Sequence, residues 1–188
     1  MIRLKILAFA LAGGWLSLIA GCADRAPLTE PAAVGSGPYL LGTGDKLRIV
    51  VYDQPSLTNL YEVDASGDVS MPLVGDVSAG GSTVDELADR IETKLASGYL
   101  REPNVTVEVT TYRPFFVLGE VGTPGQFTYV PGLTAEMAVA VAGGFTDRAN
   151  KRVVRVSRTV NGKLFESRMP VTEPIRPGDT VYVPESMF

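Results

Sequence analysis

From Leu41 to Val51 a glycine-rich turn, Leu-Gly-Thr-Gly-Asp, feeds Lys-Leu-Arg-Ile-Val-Val, in which apolar residues recur at every second position before running together. That pattern predicts a turn entering a strand with one face buried. Period-two alternation returns in Asn104 to Thr110, where Val105, Val107 and Val109 share one side, so a half-buried strand is expected there. Between them the period changes to that of a helix. Thr83-Val84-Asp85-Glu86 forms a capping box, and Leu87, Ala88, Ile91, Leu95 and Ala96 then fall on one face until Gly98. Tyr61 to Asp64 and Asp68 to Met71 flank Ala65-Ser66-Gly67, which predicts a hairpin with a three-residue loop.

A second set of elements follows from Tyr112. Phe115 to Gly119 predicts a strand, Val121 to Gly125 a turn, and Gln126 to Val130 a returning strand. Thr134 caps a short apolar helix over 135–142 that stops at Gly143-Gly144. Arg152 to Val160 and Leu164 to Met169 are strands around the hairpin turn Asn161-Gly162, and a final strand ends the chain. The expected fold class is α+β, as two small β-rich domains, the second a β-grasp-like sheet with one helix packed across it.

Gly-Asp occurs four times, at Gly44-Asp45, Gly67-Asp68, Gly75-Asp76 and Gly178-Asp179. Roughly one pair would arise by chance, so a recurring turn-to-strand device is indicated. Glycine tolerates positive φ, and an aspartate can accept from nearby backbone N–H groups. Gly44, Asp45, Gly178 and Asp179 are therefore expected to be structural, and nothing in their spacing converges enough oxygen ligands for a metal.

Composition narrows the chemistry. At 188 residues, 45% hydrophobic and 20% charged, the chain suits one or two small folded domains. It has no histidine, which removes the commonest general base and most zinc and haem sites; carboxylate-only catalysis stays open but no motif supports it, so no catalytic residue, metal or cofactor is named. A pI near 4.9 argues against nucleic acid. Charge is unevenly placed, however. Arg148, Lys151, Arg152, Arg155, Arg158, Lys163 and Arg168 face a single acid, Glu166, between positions 148 and 168, whereas the rest of the chain from Cys22 onward has 8 basic and 20 acidic residues. A solvated strand face, a contact between neighbouring subunits through Arg148, Lys151, Arg152, Arg155 and Arg158, and a grip on an acidic glycan would each use such a segment. Tyr112, Phe115 and Phe116 could stack on sugars, but core packing is the expectation.

Residues 1–21 carry Arg3 and Lys5 before an interrupted apolar run, the pattern of a secretory signal. Its end, Leu18-Ile19-Ala20-Gly21-Cys22, closely resembles a bacterial lipobox. The resemblance implies cleavage before Cys22, acylation of that residue, and, with Ala23 following it, an outer-membrane lipoprotein facing the periplasm. Residues 22–38 contain Pro27, Pro31 and Pro38 and read as a flexible tether, whose 16 residues after the cysteine would span roughly 50 Å when extended.

The lipobox and tether, the opening Tyr39-Leu40-Leu41-Gly42-Thr43-Gly44-Asp45-Lys46-Leu47, the segment Val117 to Gly125 and the closing Pro177-Gly178-Asp179-Thr180-Val181-Tyr182-Val183-Pro184 together resemble the outer-membrane polysaccharide export (Wza-like) lipoprotein family. The resemblance implies a polysaccharide-export domain over 39–111 and a soluble-ligand-binding β-grasp (SLBB-like) domain over 112–188. It further implies a ring of identical subunits, commonly eight, that conducts exopolysaccharide or capsule above an inner-membrane polysaccharide co-polymerase. Longer members add a membrane-spanning C-terminal helix. No stretch of about 20 apolar residues precedes Phe188, so a separate outer-membrane β-barrel partner is expected. Two other classes fit parts of the pattern. A monomeric periplasmic ligand- or glycan-binding module would need a pocket, and a carboxylate hydrolase would need a pair of acids in a cleft.

Overall fold

The structure, a computed structural model, describes residues 37–160 and 162–186. The expected signal segment, Cys22, the tether up to Ser36, Asn161 of the hairpin turn, and Met187 and Phe188 lie outside the described residues. The fold is α+β, with ten strands and two helices among the described residues, arranged around two separate apolar cores.

In the first domain, β1 (Lys46–Val51) is the central strand of an antiparallel sheet, between β2 (Asn59–Glu62) and β5 (Val105–Thr111). Its alternation decides the faces: Leu47, Ile49 and Val51 are buried while Lys46 and Arg48 are exposed. Helix α1 (Val84–Ala96) begins as its sequence predicts. The Thr83 hydroxyl accepts from the Glu86 N–H at 3.2 Å and the Thr83 N–H donates to the Glu86 carboxylate at 2.9 Å. Leu87, Ile91 and Leu95 project from one side of this helix into the core formed by β1 and β5.

The expected hairpin between residues 61 and 71 forms its turn but not its ladder. Gly67 has φ 85° and donates to the Asp64 carbonyl, and the Asp64 carboxylate accepts from Ser66 and Asp68. Beyond this turn the strands part. β2 runs along β1, with Leu47 opposite Tyr61, whereas β3 (Asp68–Met71) pairs with β4 (Gly75–Ser78). Turn chemistry acts over four residues, but burial of Val69, Met71 and Val77 in one core decides which strands pair.

The second domain holds a five-stranded sheet in the order β7-β6-β10-β8-β9. Its strands are β6 (Phe115–Gly119), β7 (Gly125–Phe127), β8 (Val153–Val160), β9 (Lys163–Pro170) and β10 (Thr180–Val183). The last strand is central, parallel to β6 and antiparallel to β8. Helix α2 (Ala135–Val141), capped by Thr134, puts Ala135, Ala138 and Val139 into a core with Phe115, Val117, Val154, Val156, Val181 and Val183. The strand expected to return over 126–130 is shorter, ending at Phe127. There the chain leaves the ladder, and the Tyr129 hydroxyl donates instead to the Ile175 carbonyl at 3.2 Å. Gly119 lies where β6 meets β10; with φ 90°, a Cβ there would sit 2.2 Å from the Val183 carbonyl oxygen.

Candidate contact surface

Two of the four Gly-Asp turns are the same object built twice. Gly44 has φ 88° and Gly178 φ 83°. In each turn the aspartate N–H donates to the carbonyl three residues back, Gly42 or Arg176, at 3.1 Å. Its carboxylate accepts the N–H of that same residue, at 2.8 Å from Gly42 and 2.7 Å from Arg176. Both Asp45 and Asp179 are fully buried, and burial of a carboxylate costs several kcal/mol unless a cation and further donors answer it.

A different arginine answers each. Arg158 from β8 donates to Asp179 through Nε at 2.7 Å and Nη2 at 2.6 Å, a bidentate pair. Arg113, in the link between the domains, donates to Asp45 from its backbone N–H at 2.8 Å and from Nη1 at 3.1 Å. The Tyr39 hydroxyl donates at 2.5 Å to Oδ2 of Asp45, the oxygen that also accepts from Arg113 Nη1 and the Gly42 N–H. Burial, and next the hydrogen bond to Asp45, push the Tyr39 phenol well above its ordinary range. Arg113 lies against both turns: a Cβ on Gly42 would meet its Nη1 at 2.2 Å, and one on Gly178 its Nε at 2.7 Å. The rings of Tyr39, Tyr112 and Tyr129 continue the junction edge-to-face, with centroids 5.0 and 5.6 Å apart. Neither Tyr39 nor Arg113 carries a sequence signal for this role, because the aspartate that Arg113 serves lies 68 residues away.

The basic segment divides in three. Arg158 is spent internally, its side chain only 13% exposed, so it offers little to a neighbour. Burial, then the nearby Arg158 charge, lower the pKa of Arg176. Arg148 is exposed and donates from Nε to Glu185 at 2.7 Å, a bond that raises its pKa. Arg155 lies 4.3 Å over the Tyr182 ring with Glu166 at 3.4 Å. Lys151 and Arg152, with Lys163 and Arg168, are exposed.

Phe115 is buried, but Phe116 points to the opposite face of the sheet and is exposed, against the expectation that both join the core. Tyr112 is half-buried. Among the described residues, no group of three His, Cys, Asp or Glu is placed to hold a metal ion, and no helix is long and apolar enough to cross a membrane.

Two small β-rich domains are thus joined through paired Gly-Asp turns, and basic residues cluster on and just before the β8–β9 hairpin. Comparison with known proteins gives the class. Residues 34–110 match the polysaccharide biosynthesis/export protein family and residues 114–171 match the SLBB domain. Among relatives, the exopolysaccharide production protein ExoF of Rhizobium meliloti is 36% identical over 147 residues, which cover 72% of this chain and 34% of ExoF. The EPS I polysaccharide export outer membrane protein EpsA of Ralstonia nicotianae is 34% identical over 176 residues, 79% of this chain and 44% of EpsA. The polysialic acid transport protein KpsD of Escherichia coli is 26% identical over 164 residues, 81% of this chain and 29% of KpsD. This chain thus spans between 29% and 44% of the length of these curated relatives.

The protein belongs to the polysaccharide export (Wza-like) family. The names of the matched family and relatives denote production, export and transport, in agreement with the expectation that the chain is not an enzyme.

Proposed function

We propose that this chain is a periplasm-facing outer-membrane lipoprotein, anchored through acylated Cys22, whose copies form a ring that conducts exopolysaccharide or capsular polysaccharide toward the cell surface. The carrying observation is that an export-family domain and an SLBB domain follow one another in this chain, most of which aligns with relatives named for polysaccharide export and transport. The domains divide near residue 111, within the link that holds Arg113, and the paired Gly-Asp turns fix their junction. The ring receives polymer from an inner-membrane co-polymerase. Passage through a hydrated lumen needs no reacting group, only walls that do not bind sugars tightly. Ring neighbours meet through the basic segment, where Lys151 and Arg152 are exposed and Arg158 supports the fold. Deleting the gene is expected to abolish surface polysaccharide while synthesis of intact polymer continues. Normal surface polysaccharide in the deletion strain would reject the export role.

A further inference from the structure

Two surface features remain without a role in the fold. The first is Leu73, at the tip joining β3 to β4. Its φ is 71°, a left-handed backbone that bulky L residues rarely adopt. The residue is 55% exposed, so packing within the chain does little to offset that strain. The same hairpin carries Asp68 and Asp76, which line an open groove with Asp89, Arg90 and Lys94 of α1. Over residues 37–111 acids outnumber bases 12 to 5, so this apolar tip stands in a negative field.

The second feature is the face of the five-stranded sheet opposite the core that α2 enters. Residues directly opposite one another on paired strands share a face. Leu118, Tyr182, Arg155 and Arg168 therefore form one row across four strands, and Phe116, Thr180, Ser157 and Glu166 form the next. Phe116, Leu118 and Tyr182 are exposed, giving an apolar strip along β6 and β10. Arg155 and Arg168 border it on the β8–β9 side, and the one acid in these rows, Glu166, is paired with Arg155.

We propose that these features are the two halves of one contact between copies of this chain: the acidic β3–β4 hairpin of one copy seats Leu73 on the Phe116–Leu118–Tyr182 strip of the next. An apolar projection with acidic flanks meets an apolar strip with a basic border, complementary in both polarity and charge. Each copy carries one projection and one strip. The contact is therefore heterologous and repeats from copy to copy, closing into a ring when the rotation allows. The strain at Leu73 is offset only once its side chain is covered. This inference deepens the proposed ring and rests on it, naming the surfaces through which neighbours meet.

The test places a photo-crosslinking residue, p-benzoylphenylalanine, at position 73 of the full chain in its native membrane. After irradiation, adducts are mapped by mass spectrometry, and the mass of detergent-extracted protein is measured by light scattering. The expected result is a covalent dimer joining position 73 to the peptide holding Phe116 and Leu118, or to the one holding Tyr182. In parallel, Leu73→Gly relieves the backbone and removes the projection. It should leave Tm unchanged or raise it by about 2 °C while weakening self-association at least about tenfold. An assembly that crosslinks elsewhere on a neighbour, to another protein or to glycan would overturn this contact and leave the ring standing. So would Leu73→Gly that assembles as the parent does. A chain that stays monomeric throughout would overturn both.

Discussion

Asp179 allows the energetics of the paired turns to be tested. Its carboxylate is fully buried and accepts three hydrogen bonds, two from Arg158 and one from the Arg176 N–H. Asp179→Ala leaves the Arg158 guanidinium, 13% exposed, without its carboxylate. Breaking a buried pair from one side costs about 3–5 kcal/mol. The Arg176 N–H also loses its acceptor, at about 1–3 kcal/mol where water cannot reach it. The single substitution should therefore cost about 5 kcal/mol, a large share of the stability of a small domain. Arg158→Met strands the opposite charge but leaves Asp179 its backbone donor, so about 3 kcal/mol is expected. In the double variant no buried charge remains unpaired, and its cost should fall below the sum of the singles by at least about 2 kcal/mol. Urea unfolding followed by far-ultraviolet circular dichroism measures all three variants. An additive cycle, or an Asp179→Ala cost below about 1 kcal/mol, would show that the pair does not hold this turn.

Tyr39 predicts a pH dependence. Its phenol is raised by burial and by Asp45, so above the ordinary phenol value of about 10 the unfolded chain releases a proton that the folded chain retains. Stability is then full below pH 10 and declines as pH rises beyond it; Tyr39→Phe should flatten that decline in alkaline denaturation, and an unchanged slope would contradict the assignment. Gly119→Ala places a Cβ 2.2 Å from the Val183 carbonyl oxygen at φ 90°, so it should cost at least about 3 kcal/mol in the same urea assay. Gly132→Ala, at φ 85° but with nothing within 4 Å of the new Cβ, should cost only about 1 kcal/mol and serves as its control.

Much of the fold was legible because its signals are local. The capping box at Thr83–Glu86 and the spacing of Leu87, Ile91 and Leu95 specify α1 within two turns. The alternation of Leu47, Ile49 and Val51 orients β1 against the core. Pairing across distance was not legible. The turn at Asp64–Gly67 is encoded by four residues, yet the strands on either side choose other partners, because a turn cannot specify which apolar face must be covered. Charge was legible as a density on residues 148–168, but not that Arg158 is consumed by Asp179 or that Arg155 lies against the Tyr182 ring. The outward turn of Phe116 follows from the same period-two rule that buries Phe115 and Val117; reading all the aromatics as core overlooked it.

The central claim, that copies of this chain assemble into a closed conduit, is tested most directly by the mass of the detergent-extracted full chain, measured by light scattering on a sizing column. A single discrete mass near eight subunits, stable on dilution, is the predicted result. A monomer at every concentration, with or without the proposed inner-membrane co-polymerase, would contradict the claim and favour a ligand-binding module instead.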